Sequence, residues 1–81
     1  MNEQELRNVV LTTLGDIAPE VDGETLKDDT PLRNQVDLDS MDWLNFLIGL
    51  HKKLGVDIPE SDYAGLITLE NILKYLSVRL P

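Results

Sequence analysis

The chain has 81 residues, 42% hydrophobic and 27% charged, a balance that suits a folded globular protein and excludes wholesale disorder. It contains no cysteine, which removes disulfides, thiolate metal sites and cysteine nucleophiles. A formal net charge of −8 makes nucleic acid and anionic bilayers repelled partners and favours basic protein surfaces.

The charge is uneven. Residues 1–40 hold ten acids against three bases, whereas residues 41–81 hold five against four. No apolar run approaches the roughly 18 residues of a membrane span, and Met1–Glu5 lack the basic start of a signal peptide. The expectation is a cytoplasmic monomer without membrane insertion. A core of this size yields roughly 3–5 kcal/mol of net stability, which leaves little for an elaborate catalytic pocket.

In chain order, Asn2 is placed to cap a first helix, with Glu5 three residues on and Glu3 beside the positive helix end. Leu6, Val9, Val10, Thr13, Leu14 and Ile17 recur at helical spacing and define one buried stripe. Gly15 marks the expected end, giving a helix over about 3–14. From Asp16 to Asp39 the chain is acid-rich, is broken by Pro19, Gly23 and Pro31, and has no apolar period. Val21, Leu26, Leu32, Val36 and Leu38 are spaced to pin this stretch onto helices, so it reads as an ordered crossover.

A helix over about 40–54 follows. Asp39 and Ser40 are both good cap residues, Asp42 sits in the first turn, Lys52 and Lys53 sit in the last, and Gly55 closes it. Trp43, Phe46, Leu47, Leu50 and Leu54 share one face, flanked by Met41, Leu44 and Ile48. Apolar character over that width requires two neighbours or a partner protein. Pro59 and Gly65 bracket a short helical segment at about 59–64. Thr68 then caps a last helix over about 68–79, with Leu69, Ile72, Leu73, Leu76 and Leu80 on one face. The predicted architecture is a single all-α domain over 1–81, a small three-to-four-helix bundle with a long loop between its first two main helices.

The stretch from Val36 to Leu44 carries the chemistry, because it sets a serine at a helix start among Asp37, Asp39 and Asp42. Three readings are open from the residues alone. In the first, Ser40 or Asp39 merely caps the helix, worth about 1 kcal/mol. In the second, Ser40 is a nucleophile, but the single histidine, His51, lies eleven residues along the same helix, roughly 16 Å away at about 1.5 Å per residue. In the third, the acids form a calcium loop starting at Asp37, but its sixth position is Asp42 instead of glycine and its twelfth is Ile48 instead of glutamate.

Asp39-Ser40-Met41, followed by apolar residues at 44, 47 and 50, resembles the signature of the acyl carrier protein family. Asp29-Thr30-Pro31-Leu32 before the serine and Val56-Asp57-Ile58-Pro59 after it keep that family's order, and the resemblance covers nearly the whole chain. It implies that Ser40 carries a 4′-phosphopantetheine arm, installed from coenzyme A by a phosphopantetheinyl transferase. An acyl group would ride on the arm's thiol as a thioester, so Ser40 would be an attachment point and the protein no enzyme. It implies too that Asp39 helps present the serine. Met41 and Ile48 would be apolar contacts, and Asp37 and Asp42 electrostatic ones, for transferase, acyl-transfer and synthase enzymes with basic docking surfaces.

The chain departs from the family pattern at Asp37, where glycine is common, at Asn45, where fatty-acid carriers carry an acid, and at Lys52 and Lys53, where the helix end is usually acidic. These departures point to a specialised pathway, within fatty-acid, lipid or polyketide-type synthesis. An aminoacyl or peptidyl carrier and an unmodified acidic helical interaction module are the alternatives. Trp43 and Phe46 either fill the core or line an apolar slot, and Gly49 either permits close helix approach or leaves space for a chain.

Overall fold

Each long helix is fixed at its start by a side chain that satisfies an amide the helix itself leaves free. The computed structural model describes residues 1–80, with α1 at Glu3–Ile17, α2 at Leu32–Gln35, α3 at Ser40–Leu54, a 3-10 helix at Glu60–Gly65 and α4 at Leu69–Arg79. Asn2 Oδ1 accepts the Glu5 N–H at 2.8 Å. The Thr68 hydroxyl accepts the Asn71 N–H at 3.0 Å, while Asn71 Oδ1 accepts the Thr68 N–H at 3.1 Å. Among the described residues the only β pairing is an isolated bridge between Pro31 and Thr68, so the fold is all-α. No helix among them is long and apolar enough to cross a membrane.

Three boundaries differ from the sequence expectation. α1 passes through Gly15 and ends at Ile17, where the Ala18 N–H donates to the Leu14 carbonyl at 2.8 Å. The helix gains from continuing because Ala18 is buried and Ile17 packs against the core, which offsets the roughly 1 kcal/mol that a mid-helix glycine costs. α2 is a single turn inside the crossover, where periodicity had shown no helix. The short segment after Pro59 is a 3-10 helix that starts at Glu60 and includes Gly65.

The core joins Leu6, Val10 and Leu14 of α1 to Phe46, Leu47 and Leu50 of α3 and to Leu69, Ile72, Leu73 and Leu76 of α4. Val9, expected in the α1 stripe, is only half-buried, while Leu11 packs against the core from the other side. Helices α1 and α3 approach so closely at Gly49 that a methyl there would meet Thr13 Cγ2 at 2.9 Å. Thr13 cannot swing away, because it is β-branched and its hydroxyl donates to the Val9 carbonyl at 2.7 Å. Gly49 therefore serves close helix approach. At the far end of α3, Gly55 adopts φ 67°, the left-handed cap that favours glycine, and donates its N–H to the His51 carbonyl. Lys53 Nζ meets Asp16 Oδ2 at 2.9 Å and ties that end to α1.

The crossover is pinned as its apolar residues require, with Leu32, Val36 and Leu38 buried and Val21 and Leu26 half-buried against the core. Polar anchors complete the attachment. Arg7 grips Asp28 through two parallel hydrogen bonds of 2.8 and 3.0 Å. The Asp28 carbonyl accepts the Glu70 N–H, and the Ile67 carbonyl accepts the Leu32 N–H, both at 3.0 Å. Gln35 closes the loop on itself: its Oε1 accepts the Lys27 N–H at 2.7 Å and its Nε2 donates to the Lys27 and Thr30 carbonyls at 2.9 Å each.

Two tests follow from this packing. Gly49→Ala should lower the melting temperature by about 4–8 °C, because overpacking of about 2 kcal/mol, the middle of the usual range, exceeds the roughly 1 kcal/mol gain in helix propensity by about 1 kcal/mol. In a Thr13→Ser background, which removes the obstructing methyl, the same change should be neutral or stabilising by thermal denaturation. The second test concerns acid. Hydrogen bonds from Arg7 hold the Asp28 carboxyl below the usual aspartate range, so the pair stabilises the fold above the ordinary value near 3.9. The stability difference between wild type and Asp28→Asn, at most about 1 kcal/mol for so exposed a pair, should be full at pH 7. It should vanish as pH falls through and below that value in urea titrations.

Candidate functional site

The start of α3 decides what Ser40 is free to do. Asp39 is the cap: its Oδ1 accepts the Asp42 N–H at 2.8 Å, and Asp42 Oδ2 accepts the Asp39 N–H at 3.3 Å. The two aspartates form a reciprocal capping box, with Asp42 at its third helical position. Ser40 is the first helical residue, exposed, and takes no part in the cap. The capping reading thus belongs to Asp39, and the serine hydroxyl is left presented to solvent.

Two of the first amides of α3, on Ser40 and Met41, have no carbonyl partner within the helix. Together with the positive end of the helix they favour an anionic group on the serine oxygen. The residues present therefore fit a phosphodiester attached at Ser40 Oγ. Asp37, just before the cap, is exposed, and Asp42 is half-buried by its part in the capping box.

The nucleophile reading finds no base. His51 lies at the opposite end of α3, where its Nδ1–H donates to the Val56 carbonyl at 2.7 Å. Among the described residues, no three acidic or histidine side chains converge where they could hold a metal ion.

One helix face carries the remaining candidates. Met41 is 67% exposed, Leu44 39% and Ile48 38%. At 100° per residue these three form a stripe along one flank of the buried face of Phe46, Leu47 and Leu50, with Leu44 only about 60° round the helix from Leu47. Leu44 was legible in the sequence as a flanking position but not as part of a contact surface. Lys52 continues the line of Met41 and Ile48 three turns on, exposed, whereas Lys53 is taken by Asp16. Of the aromatic pair, Phe46 is fully buried. Trp43 tilts against it with ring centroids 5.3 Å apart and stays partly open to solvent. Two residues that share a groove with Trp43 were not singled out in the sequence, Arg33 and the exposed Ile67. Neither carries a local signal, since each reaches this region through the crossover and its pairing with the segment before α4.

A small helical domain with a free serine at a capped helix start has the build of a carrier. The family described as "Phosphopantetheine attachment site" matches residues 4–76. An acyl carrier protein of Lactobacillus acidophilus is 28% identical over 76 residues, covering 94% of this chain and 94% of that protein. One from Campylobacter hominis is 29% identical over 73 residues, covering 90% of this chain and 86% of that protein. The chain belongs to the family of phosphopantetheine-attachment domains. It is a carrier and not an enzyme, and its prosthetic group is covalent 4′-phosphopantetheine, which supplies the thiol that the chain itself lacks.

The division between cap and free serine is directly measurable. Asp39→Ala should cost about 1 kcal/mol of stability, whereas Ser40→Ala should stay within about 0.5 kcal/mol of wild type. Thermal unfolding followed by circular dichroism separates the two.

Proposed function

We propose that Ser40 is the attachment point of the arm and that the arm's cargo is an acyl group held as a thioester. One observation carries this reading: the serine stands exposed at the start of α3 while Asp39 and Asp42 do the capping. Attachment joins Ser40 Oγ to the phosphorus of the arm, with the adenosine bisphosphate part of coenzyme A leaving and the hydroxyl proton passing to a base of the transferase. Ser40 then holds the group, Asp39 fixes the serine's backbone through the cap, and neither takes part in later chemistry.

Partner enzymes, the transferase first among them, dock on the exposed face of α3. Met41 and Ile48, with Leu44 between them, supply apolar contact, while Asp37 and Asp42 attract basic side chains. The partners are acyl-transfer and synthase enzymes of fatty-acid, lipid or polyketide-type synthesis in the cytoplasm, and the carrier serves them as a single domain.

Incubation with coenzyme A and a broad-specificity phosphopantetheinyl transferase tests this by intact mass. Wild type should gain one phosphopantetheine and Ser40→Ala none; an adduct that persists in Ser40→Ala moves the site elsewhere. Asp42→Lys should slow modification, and added salt should narrow its difference from wild type.

A further inference from the structure

On the flank of α3 that Trp43 occupies, a surface groove of about 210 Å³ lies between α3, α2 and the 3-10 helix, lined by Pro31, Arg33, Trp43, Tyr63, Leu66 and Ile67. Trp43 follows Ser40 by three residues, so their Cβ atoms are neighbours on the helix surface, roughly 5–6 Å apart. Arg33 reaches the same place from the crossover, directing Nε at the Leu38 carbonyl, 3.4 Å away and two residues before the serine. The ion pairs among the described residues use Arg7, Lys53, Lys74 and Arg79, and none uses Arg33. A guanidinium with no carboxylate partner thus borders a partly aromatic groove, beside a serine flanked by three aspartates.

We propose that this groove seats the proximal part of the phosphopantetheine arm, an inference that rests on attachment at Ser40. The Arg33 guanidinium takes the phosphodiester, and the Trp43 indole packs against the apolar and amide stem that follows. Asp37, Asp39 and Asp42 all repel a phosphodiester at Ser40, by about 1 kcal/mol for a unit-charge pair at 4 Å in water. Arg33 is the nearby cation that offsets this, with planar donors suited to phosphate oxygens. Size sets the limit of the site. Pockets that enclose a drug-sized ligand measure roughly 300–1,000 Å³, so this groove holds a segment of the arm and leaves its thiol end outside.

Trp43 is the single tryptophan, so its fluorescence reports on the groove alone. Apo protein is converted with coenzyme A and the transferase, conversion is checked by intact mass, and Trp43 is quenched with acrylamide. In converted wild type, quenching should fall relative to apo. In Arg33→Gln the mass adduct should still form, the protection should be lost and the phosphorus resonance of the phosphodiester should shift. Ile67→Ala, on another wall and without a change of charge, should also weaken the protection. Trp43 quenched equally before and after conversion overturns the groove while Ser40 attachment stands. Protection that survives Arg33→Gln, with no shift in the phosphorus resonance, overturns the role of Arg33. Wild type that gains no mass overturns the attachment, and the groove with it.

Discussion

The placement of Ser40 depends on the anchoring of the crossover that precedes it. Ordering backbone costs about 1–2 kcal/mol per residue, and between Ile17 and Ser40 only one helical turn, α2, gives regular structure in return. Apolar pins at Leu32, Val36 and Leu38 meet part of that cost. The rest falls to a few polar joints, with Asp28 the most connected: its carboxylate holds α1 through Arg7 and its carbonyl receives the first turn of α4 through Glu70. Because Leu32 also pairs with Ile67, the chain leading into α3 is fixed against two other elements before the serine is reached. A serine at the end of a loosely tethered loop would offer its hydroxyl in many orientations; this one is offered from a fixed helix start.

The same accounting changes the meaning of the acidity. A net charge of −8 first reads as a surface for basic partners. Several of those carboxylates have internal partners: Asp28 on Arg7, Asp16 on Lys53, Asp39 and Asp42 in the capping box, and Asp62 on the Tyr75 hydroxyl at 2.6 Å. What is left to attract a partner near Ser40 is therefore narrower than composition suggests. Asp37 is exposed outside the cap, and Asp42 has one foot in it.

Local chemistry made much of this legible. Asn2, Asp39 and Thr68 announce three helices because capping depends on residues a few positions apart, and the stripes that follow them need only a period of 3.6. The cap at the start of α3 was readable for the same reason, although the residues alone left open whether Asp39 or Ser40 makes it. What was illegible depends on distant residues. Gly15 looked like an end, but burial of Ala18 carries α1 past it. The turn of α2 exists because Leu32 pairs with Ile67 and Gln35 clasps Lys27 and Thr30, none of which a four-residue window contains. The role of Gly49 stayed open until Thr13 was found against it. Arg33 and Ile67 reach the groove beside Trp43 by the same long-range route.

If partners dock on α3 as proposed, its exposed edge also constrains which way round they sit. Along it the character runs from the acids near Ser40, through Met41, Leu44 and Ile48, to Lys52 at the far end. Lys53 does not add to this gradient, since Asp16 already neutralises it. A partner face that is basic throughout would gain at the Ser40 end and lose at Lys52, whereas one that turns acidic about three helical turns away would gain at both. Exposed charges of this kind contribute little to affinity in salt, yet they discriminate well, because like charges brought together by the wrong partner cost more than unlike charges gain. On the docking face proposed above, Lys52 would thus act less as an attraction than as a filter on the enzymes that approach Ser40 along this helix.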